Sequence, residues 1–371
     1  MIVVGEASGD LHGSQVVKAL LDRDPTMEFF GAGGEHLRRH GVRVVFDVAR
    51  LSGMGLSELR DNLGALWEAY RLFRRALREE RPDLVILVDF PEFNLRLARL
   101  ARQLRIPVLY YISPQVWAWR RGRVRKIAKS VDRLAVVFPF EAPLYEREGV
   151  KVTFVGHPLL DLVRPTQTRE QTLAQYGLDP ARKTIALLPG SRKREVAYHL
   201  GPMIEAAERL GAQEAVQFLL VRATTVERAA IENAVAAVSA PVEIVEGNTY
   251  NVLNAADLVW LASGTATLEA ALLEKPMVIV YRMAWLTYAL ARLLVRVDHI
   301  GMVNIIAGER VAPELIQSEL TAERICRETQ RLLSDPALRA QTVRKLACVK
   351  ERLGTSGAAA RVAEMALAML A

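Results

Sequence analysis

The sequence predicts an α/β protein made of two doubly wound domains with a cleft between them. Short apolar runs alternate with helical stretches along the whole chain, which is typical of parallel sheets covered by helices. The length of 371 residues exceeds what one ordinary core accommodates. A turn at Gly156-His157-Pro158 leads into a proline-containing linker that ends near Thr168, and the series then restarts.

The strand candidates of the first half are Ile2–Val4, Glu28–Phe30, Arg43–Val45, Leu84–Val88, Val108–Ile112, Arg133–Val137 and Lys151–Val155. Those of the second half are Thr184–Leu188, Val216–Val221, Val242–Val245, Leu258–Leu261 and Met277–Val280. Helical stretches between them include Leu11–Leu21, Leu56–Glu79, Leu95–Gln103, Arg123–Ser130, Glu195–Leu210 and Thr225–Val238, and the chain closes with helices at Ala322–Leu333, Pro336–Arg352 and Ser356–Leu370. We expect an N-terminal domain at 1–160, a second domain at 161–345, and C-terminal helices at 346–371 that could pack back on the first domain.

The composition excludes several classes of protein. A net charge of +7 is too small to indicate nucleic-acid binding by itself, and it suits phosphorylated substrates or an anionic membrane surface equally well. Two distant cysteines and six histidines without an HExxH pattern predict no metal site and a reducing cytoplasm. No signal peptide is visible, and no run reaches the ~18 apolar residues of a spanning helix.

A glycine turn follows the first strand and opens a helix, with Glu6, Gly9 and Asp10 in it. It lacks the GxGxxG pattern, which disfavours a nicotinamide dinucleotide. Two acids at a helix start would repel a phosphate, so sugar hydroxyls or an amide fit better. A tight turn with a capping acid explains Gly9 and Asp10 as well, but it does not explain Glu6.

The strand at Leu84–Val88 ends in Asp89, because Pro91 cannot continue a ladder. Asp89 is therefore expected at the carboxyl edge of the sheet, where it could take a proton from an acceptor hydroxyl. The alternative is that Asp89 caps the helix that begins near Pro91. Asn94 could cap the helix or bind the substrate.

The next strand is followed by Ser113 and then by two tryptophans and a run of arginines, including Trp117 and Arg120. Indole rings stack on sugars or acyl chains, and guanidinium groups bind phosphates. The alternative is a solvated basic helix with tryptophans in the core.

Two turns in the second half predict a nucleoside diphosphate site. Ser263-Gly264-Thr265 follows a buried strand and begins a helix, where free N–H groups favour a diphosphate, and Glu269 could accept hydrogen bonds from ribose. Pro189–Arg192 opens another helix with several cations, although the P-loop pattern is absent. The alternatives are a simple helix cap and a plain strand–helix turn.

Six motifs in order resemble the lipid-A-disaccharide synthase family of GT-B glycosyltransferases: GEASGD, VDFPEFN, SPQVWAWR, VGHP, LPGSR and ASGTATLE. The resemblance covers nearly the whole chain. It implies an inverting, metal-free transfer from UDP-2,3-diacylglucosamine to the 6-hydroxyl of 2,3-diacylglucosamine 1-phosphate, which gives a β-1,6 disaccharide phosphate and UDP. No cofactor is implied beyond the UDP-linked donor.

The resemblance also implies roles for residues. Asp89 is the base, and Glu6 lies near the donor sugar. The diphosphate contacts Arg192 and Ser263–Thr265, the ribose contacts Glu269, and Asn304 belongs to the donor site. The remaining expected substrate-binding residues are Gly9, Asn94, Ser113, Trp117 and Arg120.

The resemblance implies a cytoplasmic protein bound peripherally to the inner membrane. The family tends to carry a markedly apolar, membrane-contacting stretch after Met54-Gly55, whereas Leu56–Phe73 is amphipathic here, which is compatible with binding at a membrane surface. A core-facing surface helix is the alternative for this stretch, and a homodimer is compatible with the sequence. Two other functions remain open: a UDP-sugar epimerase of the same architecture, and a non-catalytic protein that binds nucleotide sugars or lipids.

Overall fold

The computed structural model describes residues 1–51, 59–114, 123–294 and 298–371. The chain divides into two compact units, Met1–Asp161 with Leu353–Ala371, and Leu162–Arg352. The expected boundary at residue 160 lies next to the first crossing. The expected boundary at residue 346 lies inside a helix, and the chain returns to the first unit only at Leu353.

The first unit contains a parallel sheet. Its strands are β1 (Ile2–Val3), β2 (Phe30–Gly33), β3 (Arg43–Asp47), β4 (Val85–Val88), β5 (Val108–Tyr111), β6 (Arg133–Val136) and β7 (Lys151–Phe154). Their order in the sheet is β3-β2-β1-β4-β5-β6-β7. The helices along this part are α1 (Ala7–Leu21), α2 (Glu35–Arg39), α3 (Leu59–Glu79), α4 (Pro91–Gln103), α5 (Val124–Ala128), α6 (Ala142–Glu146) and α7 (Leu159–Leu162).

The central strands of this sheet are apolar on both faces. Every residue of β4 and β5 is buried. Parallel strands read as continuous hydrophobic runs because helices cover both sides of the sheet. This explains why the two strands were recognisable from the sequence.

The second unit repeats this design with β8 (Lys183–Leu188), β9 (Val216–Arg222), β10 (Val242–Glu246), β11 (Leu258–Ala262), β12 (Met277–Tyr281) and β13 (Glu314–Ile316) in the order β10-β9-β8-β11-β12-β13. Its helices are α8 (Arg169–Gln175), α9 (Lys193–Gly211), α10 (Arg228–Ala236), α11 (Thr249–Ala255), α12 (Ala266–Leu272), α13 (Trp285–Leu294), α14 (Met302–Ala307), α15 (Ala322–Ser334) and α16 (Pro336–Arg352). Trp260 lies at the centre of its core, and its indole N–H donates to the Thr329 hydroxyl over 2.8 Å.

The last helix, α17 (Ala358–Leu370), belongs to the first unit. It packs against α1, and just beyond the end of α1 Arg23 pairs with Glu364 over 2.7 Å. The Asp161 carboxylate accepts the N–H groups of Gly357 (2.8 Å) and Ala358 (3.3 Å) at the start of this helix. The end of the chain therefore completes the N-terminal unit, whereas α16 remains in the second unit.

Across the described ranges, no helix combines the length and apolar character needed to span a bilayer.

Candidate active site

Asp89 lies at the point where the strand order of the first sheet reverses. β1 pairs with β4, and the chain leaves these two neighbours toward opposite edges of the sheet. Open α/β sheets bind ligands at such a switch point, beyond the carboxyl ends of the strands. Glu6 follows β1 and Asp89 follows β4, so the sequence placed both acids at the correct edge.

The turn that carries Asp89 is strained. Asp89 and Phe90 have left-handed φ angles of 48° and 51° directly before α4 begins. A side chain at Gly5 would come within 2.1 Å of the Phe90 ring, so only glycine lets this turn lie against the first strand. Non-glycine residues in this conformation cost of order 1–3 kcal/mol each and cluster at functional sites.

Burial raises the pKa of the Asp89 carboxyl to about 6, and the nearby Glu6 carboxylate adds to the rise. A hydrogen bond from the Phe90 N–H acts in the opposite direction. Asp89 is thus mostly ionised at neutral pH and more basic than an exposed aspartate. This combination suits a general base.

Asn94 holds the Asp89 turn from within. Its side chain is fully buried, and Nδ2 donates to the carbonyl groups of Val88 (3.2 Å) and Asp89 (2.8 Å). The Tyr110 hydroxyl donates to the same Asp89 carbonyl over 2.6 Å. Asn94 therefore makes no cap for α4 but braces the backbone of the turn, and its contact with a ligand stays a prediction.

Two further residues of the expected acceptor site have structural partners. The buried Ser113 hydroxyl donates to Glu141 Oε1 over 2.9 Å, which ties the end of β5 to the loop after β6. Gly9 is buried on the inner side of α1, where a Cβ would lie 3.3 Å from Val4 Cβ. Trp117 and Arg120 lie outside the described residues.

Asp10 caps a different helix from the one that contains it. Its buried carboxylate accepts the N–H groups of Gly34 (2.7 Å) and His36 (2.9 Å), at the start of α2. The carboxylate therefore fixes the neighbouring β2–α2 turn. Glu6 is exposed and makes no capping hydrogen bond to α1, so capping does not account for it.

The expected diphosphate turn lies at the switch point of the second sheet, because β11 pairs with β8 there. Gly264 has a φ of 155°. Within the described part of the chain, the N–H groups of Gly264, Thr265 and Ala266 have no protein acceptor, whereas Thr267 N–H bonds to the Gly264 carbonyl. These adjacent free donors suit an anion.

Glu269 lies one turn into α12 beside Tyr250 of α11. Burial raises the pKa of the Glu269 carboxyl to about 6, and a hydrogen bond from the Tyr250 side chain opposes this rise. Burial and Glu269 together raise the pKa of Tyr250 to about 12, so its hydroxyl keeps its proton. Tyr250 was not recognised from the sequence, because only the fold brings α11 to α12.

Arg192 stands at the start of α9, four residues after the end of β8, with a side chain that is 67% exposed. Glu195 Oε2 accepts the N–H groups of Ser191 (3.2 Å) and Arg192 (3.3 Å), and its Oε1 lies 3.4 Å from Arg192 Nη1. The cation-rich helix start therefore already has an anion of its own. The Arg192 guanidinium nevertheless remains accessible.

Asn304 has no hydrogen-bonding capacity left for a ligand. It is fully buried, and Nδ2 donates to the Ala312 carbonyl and Glu314 Oε1, each over 2.8 Å. Its Oδ1 accepts the N–H groups of Val311 (2.8 Å) and Ala312 (2.9 Å). These four bonds use every hydrogen-bond donor and acceptor of the amide, so the Asn304 side chain has none left for the UDP-sugar.

Among the described residues, no three His, Cys, Asp or Glu side chains converge in the way a metal site requires.

Comparison with known proteins identifies the family. The family model for lipid-A-disaccharide synthetase matches residues 1–367. The lipid-A-disaccharide synthase of Geobacter metallireducens is 49% identical over 371 residues, which cover 100% of this chain and 97% of the relative. This chain belongs to the lipid-A-disaccharide synthase family.

Solved structures show that this synthase family member has the GT-B glycosyltransferase fold. The glycosyltransferase of kitacinnamycin superposes with a TM-score of 0.67 at 17% identity, over 100% of this chain and 98% of the other. UDP-GlcNAc 2-epimerase from Neisseria meningitidis bound to UDP-GlcNAc gives 0.66 at 13% identity, over 99% of each chain. At such identities the likeness concerns the fold alone, so the family match decides between synthase and epimerase.

Proposed function

We propose that this protein transfers 2,3-diacylglucosamine from its UDP derivative to the 6-hydroxyl of 2,3-diacylglucosamine 1-phosphate, as a step of lipid A biosynthesis. The full-length family match supports the reaction. The observation in the structure that carries the proposal is Asp89, a carboxylate with a raised pKa of about 6 at the switch point of the first sheet.

Asp89 acts as the general base. It takes the proton of the acceptor 6-hydroxyl while that oxygen attacks the anomeric carbon of the donor. The bond between this carbon and the diphosphate breaks, and UDP leaves with the electron pair. Attack from the face opposite the leaving group inverts the anomeric centre and gives the β linkage. Glu6 raises the pKa of Asp89, and in this proposal its carboxylate contacts the donor sugar.

The second unit holds the UDP without a metal ion or other cofactor. The N–H groups of Gly264, Thr265 and Ala266 and the guanidinium of Arg192 bind the diphosphate. The Glu269 carboxylate, oriented by Tyr250, accepts hydrogen bonds from the ribose. Asn304 and Ser263 do not contact the UDP in this proposal. They act on the site through their hydrogen bonds to the backbone of Val311, Ala312 and Ile300.

We also propose that α3 attaches the protein to the inner-membrane surface. Phe73 and Leu77 are buried on one side of this helix, so part of it faces the core, in agreement with the alternative of a core-facing surface helix. Trp67 is nevertheless 61% exposed and stacks on Tyr70, with exposed arginines about one, two and three turns further on, at positions 71, 74 and 78. Exposed aromatic rings beside arginines suit the headgroup region of an anionic bilayer.

One experiment tests the reaction. The protein is incubated in EDTA with the UDP-diacylglucosamine donor, with and without the monosaccharide 1-phosphate, and the products are analysed by mass spectrometry. We expect UDP and a disaccharide phosphate only when both substrates are present. Conversion of the donor to an epimer would indicate the epimerase, and binding without any product would indicate a binding protein. A strict requirement for a divalent ion would contradict the metal-free donor site.

A further inference from the structure

A partly buried chain of hydrogen bonds leads from the diphosphate turn to Glu314, the first residue of β13. The Ser263 hydroxyl donates to the Ile300 carbonyl over 2.8 Å. The N–H group of the same residue, Ile300, donates to both carboxylate oxygens of Glu314, at 3.2 and 3.1 Å. The diphosphate turn and Glu314 are thus joined through one residue.

Glu314 fixes this connection from several directions. Its Oε1 also accepts the Gly301 N–H over 2.9 Å and the Asn304 amide over 2.8 Å. The side chain is only 8% exposed, and β13 pairs with β12 at this residue. A Cβ at Gly301 would lie 2.4 Å from Ile279 Cδ1 and 3.1 Å from Glu314 Oε1, so the turn at 300–301 is pressed against the sheet.

We infer that Glu314 is a positioning residue for the donor site: it fixes the 300–301 turn, and this turn fixes Ser263 and the free N–H groups that follow it. The inference rests on the proposed function, because it takes those N–H groups as the diphosphate site. It also gives Asn304 a role at the donor site without contact, since the Asn304 amide orients the Glu314 carboxylate.

The chemistry of the carboxylate explains why glutamate is needed here. Three donors point at it, from two backbone N–H groups and one side-chain amide. Glutamine would place an NH₂ group among donors, and at least one buried donor would lose its acceptor. The turn would then move away from Glu314, and the Ile300 carbonyl would no longer hold the Ser263 hydroxyl in place.

The test measures UDP binding by calorimetry for wild type and Glu314→Gln, together with their melting temperatures. We expect Glu314→Gln to weaken UDP binding about 10-fold, as the loss of one buried hydrogen bond would, and to raise the KM for the donor but not for the acceptor. Thr184→Val is the matched control, because it removes a buried hydrogen bond with Gln217 at the amino-terminal end of the same sheet. It should lower the melting temperature without changing UDP affinity.

A folded Glu314→Gln variant with wild-type UDP affinity would overturn the inference and leave the proposed donor site intact. Failure of wild type to bind UDP would instead overturn the donor site, and with it the inference. Hydrogen–deuterium exchange on wild type covers the case in which the variant does not fold. UDP should slow exchange at 300–304 as well as at 263–269, and protection confined to 263–269 would also refute the coupling.

Discussion

Replacing Asp89 by asparagine should abolish most of the activity and yet stabilise the protein at neutral pH. Burial and Glu6 raise the pKa of this carboxyl from 3.8 to about 6. A raised carboxyl pKa means that the native state binds the proton more tightly than the unfolded state does. Between these two pKa values the free energy of unfolding therefore falls as the pH rises.

The size of the effect follows from the difference between the pKa values. A difference of about 2 units at about 1.4 kcal/mol each gives about 3 kcal/mol. This cost is fully present above the native pKa and absent below the unfolded one. Asparagine carries no charge and tolerates the left-handed conformation of this turn at least as well as aspartate does. Asp89→Asn should therefore gain about 2–3 kcal/mol at pH 8 and almost nothing below about pH 3.

Two assays check this prediction. Calorimetric scans at pH 8 should show a melting temperature higher by about 4–12 °C for the variant, while disaccharide formation should fall by about 10²–10⁴-fold. Asp83→Asn replaces an exposed aspartate before the same strand and should change neither quantity appreciably. An Asp89→Asn variant with unchanged stability at pH 8 would refute the electrostatic reasoning, and one with unchanged turnover would refute the role as base.

Three further predictions concern neighbouring features. Glu6→Gln should shift the acidic limb of the kcat/KM profile to lower pH, because Glu6 raises the Asp89 pKa. The shift should be less than about 1 pH unit, because burial is the larger cause of the raised pKa. An unmoved limb would contradict the electrostatic coupling between Glu6 and Asp89. Tyr250→Phe should weaken binding of UDP several-fold but not of 2′-deoxy-UDP, as calorimetry can show, because Tyr250 acts through Glu269 on the ribose. Trp67→Glu should abolish sedimentation with anionic vesicles at an unchanged melting temperature, whereas the same change at the buried Phe73 should unfold the protein; retained sedimentation would refute the membrane contact at Trp67.

The central strands could be predicted closely because they are buried on both faces. The stretch Leu84–Val88 differs from β4 by one residue, and Val108–Ile112 differs from β5 by one residue. The edge strand β13 was missed, since three residues that begin with a glutamate carry no pattern. That omission also hid Glu314, whose importance depends on residues that the fold brings to it.

The candidate site was predictable where residues follow strands closely. Glu6, Asp89, Arg192 and Ser263 lie one to four residues after the end of a strand, and the topology brings these strand ends to the two switch points. Asn94, Ser113 and Asn304 are expected among the substrate-binding residues, and the structure shows that the side chains of all three bond to the protein itself. Only the Asn304 amide has no hydrogen-bonding group left for a ligand. A polar residue near a site looks the same in the sequence whether it binds a ligand or braces the protein, so only the three-dimensional structure separates these two roles.

The return of the chain to its first unit has a consequence for biosynthesis. The N-terminal sheet emerges from the ribosome first, yet α17, which packs on α1, comes last. About 190 residues are translated in between, which takes about 10–40 s at ordinary elongation rates. During that interval the surface of α1 that α17 later covers stays open to solvent. A nascent chain with this connectivity has to keep a hydrophobic helix face from aggregating until α17 has been synthesised.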